Sequence, residues 1–240
     1  MVKNGTVIDM RGEGKTAQNM IALNVTGATK VTTSSVEFQT YQPRTLASPY
    51  YNKVVEVSDG GTLTLDAGTV LRDLPNGDDN DETYGAIGVS IMGAGEESAP
   101  TTLTVNEGTR IETGSAAIMG NGTKHNTVIN INGGELTPVP DGYAIYHPQS
   151  GRAESLRAEA LTGGETGIEI RAGKLNLSGD AVITAKGIPT TTTPNGSGTT
   201  TVGGAGIAVT QHTLPSSLRS ISAEPFCHMA YALYQQPREK

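Results

Sequence analysis

The sequence has no tryptophan, two phenylalanines and a single cysteine in 240 residues. Aromatic rings supply much of the apolar area that a thick globular core buries, so their scarcity, with hydrophobic residues at 35%, points to a thin core. Cys227 has no second cysteine for an intrachain disulfide and no companions for a cysteine-rich metal site, and is read as inert. Basic residues are few as well. Seventeen Lys and Arg stand against 24 Asp and Glu, a formal net charge of −7, and they are scattered rather than gathered into the dense face that phosphate neutralisation requires. Nucleic acid is therefore excluded as a partner. No apolar run approaches the roughly 20 residues that span a bilayer, so membrane insertion is not expected. The opening MVKNGTVIDM lacks the basic-then-apolar order of a secretory signal, and no signal peptide is read in this chain.

Glycine is plentiful, 31 residues, and threonine recurs throughout. Glycine supplies positive φ in tight turns and threonine suits a pleated surface, so the composition favours many short strands. Their order is repetitive. LTLDAGTVL (Leu63 to Leu71), LTVNEGTRI (Leu103 to Ile111), INGGELT (from Ile131) and LNLSGDAVI (Leu175 to Ile183) share the form L-x-L-[DNS]-x-G/D-x-x-[LI]. A second unit precedes it: GAIGVS, AAIM, YAIY, TGIEI and AGIAV, with KVVEV (Lys53 to Val57) as an earlier copy and YALY (Tyr231 to Tyr234) as a later one. Marked by Ile87, Ile118, Ile145, Ile168 and Ile207, the repeat advances by 31, 27, 23 and 39 residues. Period-2 alternation inside an indel-tolerant repeat means strands stacked on strands. Stacking at about 4.8 Å places Leu63, Leu103, Ile129 and Leu175 over one another. The turn positions Asp66, Asn106, Asn132 and Ser178 then form a polar ladder, with Gly68, Gly108 and Gly134 in the left-handed conformation and Asp180 as the exception.

The pattern resembles the right-handed parallel β-helix of the pectate-lyase-like superfamily, in particular the Gly/Thr-rich repeats of bacterial surface proteins, over about residues 5 to 235. The resemblance implies an all-β, single-stranded right-handed parallel β-helix, a solenoid of about eight irregular coils with loop insertions, forming one domain over 1–240 that is part of a larger protein. It implies a secreted or cell-surface location. Three insertions are loops by composition: LPNGDDNDETY (Leu74 to Tyr84), GAGEESAP (Gly93 to Pro100) and the flexible KGIPTTTTPNGSGTTTVGG (186–204). A fourth, QTYQPRTLASPYYN (Gln39 to Asn52), carries three of the eight tyrosines. Such loops leave a rigid stack and are where recognition is placed.

No catalytic residue is assigned. The outward positions Gly88, Met119, Tyr146, Glu169 and Ala208 contain one acid, whereas a glycosidase needs two carboxyl groups about 5 to 9.5 Å apart, and nothing matches the motifs of polygalacturonases. Tyr143, Tyr146, Glu169 and Arg171 fall on adjacent coils, where ring faces and a charged pair would receive a sugar, the bland alternative being ordinary outward sheet residues. Asp78, Asp79, Asp81 and Glu82 concentrate hard oxygen ligands for calcium but lack the glycine and distal Glu of an EF-hand loop, so a solvated acidic loop is the simpler reading. The four histidines share no ligand spacing, and no cofactor is expected. The column Thr64, Thr104, Asn130, Asn176 breaks too early for a flat ice-binding lattice. The expected function is a non-enzymatic, adhesin-like structural module that displays loops; the alternative is a carbohydrate-binding or polysaccharide-cleaving β-helix. Expected partners are glycans or a host surface, with self-association through uncapped coil ends, the atypical 211–240 segment being one of them.

SGRAESLRAEALTGG (Ser150 to Gly164) stands where a coil should carry its L-x-L-polar-Gly strand. Its Ala, Arg, Glu and Leu favour a short lateral helix. A second reading is a displaced reading frame: permitted codons for Arg152 to Ala158, entered one base later, read Gly-Leu-Asn-Leu-Ser-Gly, nearly KLNLSGD of the next coil. Arg219 to Pro225, entered two bases later, similarly yields Val-Asn-Ile-Ser-Gly-Thr. On that reading the stretch is a damaged coil.

Overall fold

The computed structural model describes residues 5–11, 20–41, 52–74, 85–93, 99–121, 126–138, 142–147, 153–163, 166–170, 173–185, 190–191, 202–203, 205–209, 218–223 and 234–235. Among them there is no helix, and three sheets contain only parallel pairings. Sheet A consists of β1 (Thr6–Asp9), β4 (Val36–Thr40), β7 (Val70–Asp73), β10 (Arg110–Thr113) and β13 (Glu135–Pro138). Sheet B consists of β2 (Ile21–Thr26), β5 (Lys53–Ser58), β8 (Ile87–Met92), β11 (Ala116–Asn121), β14 (Tyr143–His147), β16 (Thr166–Ile170), β20 (Ile207–Val209) and β22 (Tyr234–Gln235). Sheet C, from its far edge, runs β21 (Leu218–Ala223), β17 (Gly173–Ala185), β15 (Ala153–Gly163), β12 (Thr127–Asn132), β9 (Thr101–Asn106), β6 (Thr62–Leu65) and β3 (Lys30–Thr33). From β2 to β13 the chain visits B, C and A in strict rotation, which is a parallel β-solenoid.

The interior is a set of aligned aliphatic columns. Leu63 pairs with Leu103 and Leu103 with Ile129, as the repeat requires, and all three are buried. Leu65, Val105 and Ile131 form the next column, and Leu71, Ile111 and Leu136 close it from sheet A. Each such side chain contributes on the order of 2 kcal/mol of burial, and none would be covered without the strand above and below it.

Sheet B departs from simple alternation. Val54 and Val55 are both buried, as are Ala117 with Ile118 and Ala144 with Ile145, so two consecutive residues face inward. From β8 onward the first is small, whereas β5 carries Val54 in that place. A Cβ on Gly88 would meet the Ala117 carbonyl oxygen at 2.4 Å and Ile111 Cγ2 at 2.5 Å; on Gly167 it would meet the Gly206 oxygen and Ile183 Cγ2, each at 2.5 Å. The in-register unit is thus small-aliphatic-x: Gly88-Val89-Ser90, Ala117-Ile118-Met119, Ala144-Ile145-Tyr146, Gly167-Ile168-Glu169 and Gly206-Ile207-Ala208. This corrects the expected marker by two residues, because Ile118 pairs with Val89 and not Ile87. Ala86-Ile87 and Gly88-Val89 both fit the pattern as letters; only the second glycine fits the narrow corner.

The polar ladder is present over three coils. Asn132 Nδ2 donates to Asn106 Oδ1 at 3.0 Å, and Asn106 Nδ2 donates to Asp66 Oδ1 at 2.6 Å. The two amides and the Asp66 carboxylate therefore bond one another, rather than the turn backbone. Gly68 and Gly108 have φ of 78° and 79°, and Gly134 94°, which lets the chain enter β7, β10 and β13 without strain. The side chain of Ser178 lies outside the described residues.

Other expectations are corrected. The segment expected to form a lateral helix contains β15, whose Leu156 is registered between Ile129 and Leu175, because an empty place in a sheet offers ladder hydrogen bonds that outweigh local helix propensity. Asp180 lies within β17 and makes no turn. Gln39 and Thr40 belong to β4 and not to the loop. The 186–204 insertion contains a short antiparallel pair, β18 (Thr190–Thr191) with β19 (Val202–Gly203). The atypical 211–240 end supplies β21 to sheet C and β22 to sheet B. In the Thr column, Thr32 precedes Thr64 and Arg157 separates Asn130 from Asn176.

Candidate functional site

Insertions are not spread evenly over the three corners. From sheet C to sheet A the connections are short: 34–35, 66–69, 107–109 and 133–134. From A to B the chain places 10–20, 41–52 and 74–86 between strands, and from B to C it places 93–100, 122–126, 148–152 and 210–217. All of the longer connections thus border sheet B. The corner that carries the Asn ladder leaves no room for them, since every coil there must stay in register for the amides to bond.

The outer face of sheet B differs in kind from the others. Its column runs Asn24, Glu56, Ser90, Met119, Tyr146, Glu169, Ala208, Tyr234, and Ser90, Glu169 and Ala208 in it are buried. On sheet A the outward Arg110, Glu135 and Thr137 are exposed. There the side chains pair with one another: Arg72 Nε to Glu112 Oε2 at 2.8 Å, Arg72 to Glu37 at 3.4 Å and Arg110 to Glu112 at 3.7 Å.

Because two residues per B strand turn inward together, the residues flanking them at i and i+3 both turn outward. On β5 these are Lys53 and Glu56, which form an ion pair. On β14 they are Tyr143 and Tyr146, whose ring centroids are 4.8 Å apart at an interplanar angle of 31°. Tyr143 pairs in register with Thr166, and Tyr146 with Glu169. Three of the four residues expected to form a sugar-binding patch are therefore brought together. The tyrosines are half-buried and Glu169 is fully buried, so a ligand on this face would meet the rings before the carboxylate. Arg171 lies outside the described residues, as do Asp78, Asp79, Asp81 and Glu82. Among the described residues no group of His, Cys, Asp and Glu is placed to hold a metal ion. Along the column Glu169 has Tyr146 and Ala208 as its neighbours.

Residues unnoticed in the sequence stand at the bases of the insertions. Asn52, fully buried, donates through Nδ2 to the Tyr41 carbonyl and accepts the Met20 amide at 2.8 Å. Asp73, also buried, accepts the Ala86 amide at 2.9 Å. Their partners are backbone groups, so the sequence carried no signal for them.

No protein-family model matches the chain, and no curated protein or solved structure matches it. A parallel solenoid hosts unrelated activities, so function has to be argued from the site.

Proposed function

We propose that the chain is a non-enzymatic structural module, a right-handed β-helix of about eight coils resembling those of the pectate-lyase-like superfamily, that displays loops in an adhesin-like manner from a larger secreted or cell-surface protein. The observation that carries this reading is the uneven placement of insertions: two corners bordering sheet B accept segments of many lengths while the third is closed by the ladder. A scaffold whose register is fixed on one side and whose connections vary on the other suits recognition by loops. Glycans or a host surface are the partners proposed, and the coil ends are proposed to self-associate. Incubation of the whole chain with acidic polysaccharides and calcium is expected to release no unsaturated products; their release would overturn the non-enzymatic reading. A concentration-independent monomer in sedimentation would remove the self-association.

The adjacent, tilted rings of Tyr143 and Tyr146 beside Glu169 favour a second reading, carbohydrate binding on sheet B with Arg171 contributing charge. Aromatic faces and a few polar groups are what sugar sites share. Glycan-array binding lost in Tyr146→Ala and in Arg171→Ala would support it, and binding retained in both variants would dispose of the patch.

A further inference from the structure

Sheet A ends, coil after coil, at one register position: Thr40 pairs with Asp73, and Thr113 occupies the same place on β10, opposite Pro138. All three are buried. Asp73 Oδ2 accepts the amide of Ala86, 13 residues on. Thr113 Oγ1 donates to the carbonyl of Ala116, 3 residues on. The Thr40 hydroxyl has no hydrogen-bond partner among the described residues, and at that corner Asn52 reaches back instead, donating to the carbonyl of Tyr41, 11 residues earlier. Three A-to-B connections, 41–52, 74–86 and 114–115, are therefore closed by a buried side-chain hydrogen bond, whether the connection is two residues or thirteen. The same Asn52 accepts from Met20, the last residue of the insertion after β1, so one side chain holds the bases of two neighbouring insertions.

We infer that Asn52 and Asp73 are positioning residues for the displayed segments: buried staples that close the coil beneath 42–51 and 75–84 and make each segment a unit the solenoid can carry at variable length. The physical reason is cost. Without a staple, the backbone groups where the chain leaves sheet A and enters sheet B would be buried and unpaired. With one, the loop adds only the closure entropy of its own length, which grows logarithmically. The inference depends on the display reading for what the segments are for, but not for how they are held.

Limited proteolysis of the full chain tests it, because cleavage within a segment reports local opening while the thermal transition reports the coil. Asp73→Ala is expected to raise cleavage by a Glu/Asp-specific protease within 75–84 about tenfold, while Asp73→Asn, which keeps an acceptor for the Ala86 amide, leaves it unchanged. Asn52→Ala is expected to raise tryptic cleavage both at Arg44 and at Lys15, in the two insertions it holds. Eight Gly/Ser residues inserted after Asn76 should leave the thermal transition in place. Cleavage unchanged in Asp73→Ala and Asn52→Ala, or raised equally throughout the chain, would overturn the inference. So would an insertion that lowers the transition as much as a core truncation, a measurement that decides the matter even if Asp73→Ala does not fold. Failure of glycan binding or of display would leave these cleavage patterns unaffected, so the two ideas fail separately.

Discussion

Sheet C holds two stretches built from one sequence unit with different success. Between β6, β9 and β12 the pairing is continuous, Thr62 to Leu65 against Thr102 to Val105 and then against Val128 to Ile131, and the amide ladder runs along it. Between β12, β15, β17 and β21 all three pairings slip: at Thr127/Val128, at Ala158/Ala160 and at Gly173/Lys174. Period-2 structure tolerates no odd slip without turning a strand inside out, so a bulge must absorb it. The contrast shows what fixes register in this fold. Aliphatic columns alone would allow a shift by two; the ladder, the left-handed glycines and the small corner residues remove that freedom.

The corner residues should give the largest effect. Gly88→Val places a Cβ where the structure has a backbone oxygen at 2.4 Å, and backbone cannot rotate away as a side chain would. A loss of about 3 kcal/mol or more is expected, seen as a large fall in the denaturation midpoint. Ala117→Gly, at the next coil of the same column, should cost only about 1 kcal/mol. If Gly88→Val were tolerated as easily as Ala117→Gly, the small column would not be what sets the register.

How much of this could be read from letters alone differs along the chain in the same way. The Leu63, Leu103, Ile129 column and the Asp66, Asn106, Asn132 ladder were legible because each coil repeats both an aliphatic pair and the turn that follows, so two signals agree. The sheet B motif was misaligned by two at Ile87, since period-2 alternation cannot distinguish neighbouring small-aliphatic pairs; only the distance from Gly88 to Ile111 does. Tyr143 and Tyr146 were legible as patch neighbours, but their ring contact within β14 required the double inward step at Ala144 and Ile145, and the burial of Glu169 does not follow from its outward place in the alternation. Asn52 and Asp73 were illegible because their partners are backbone groups, which leave no trace in sequence.

An intermediate effect is expected from repairing the irregular stretch. The downstream half of β15 pairs with β17 at a constant separation of 22 residues, Ala160 with Val182 through Gly163 with Ala185, while the upstream half pairs at 19, Leu156 with Leu175. The frame-displaced reading of Arg152 to Ala158 puts its two leucines at positions 153 and 155, which are 22 residues before Leu175 and Leu177. One separation would then hold along the whole strand. Replacing Arg152–Ala158 with a copy of Lys174–Asp180 should therefore remove the slip and stabilise the chain by about 1–2 kcal/mol. Coding DNA that contains the displaced codons would explain the defect. An unchanged or lowered midpoint on replacement would mean that β15 is a proper coil of another kind.

The smallest effect separates the ladder from the columns it accompanies. Asn106 sits between Asn132, from which it accepts, and Asp66, to which it donates. Asn106→Ala removes both bonds, but the turn is open to water, which replaces part of what is lost, so about 1 kcal/mol is expected. Asn106→Asp is the sharper variant. It keeps an acceptor for Asn132 but sets a second carboxylate against Asp66, so its deficit should exceed that of the alanine at neutral pH and shrink as pH falls through the carboxylate range, where a shared proton restores the bond. Ser178→Ala, made in β17 beside the slipped pairing, should have almost no effect by the same measurement. Equal losses at Asn106 and Ser178 would show that the ladder follows register without helping to fix it.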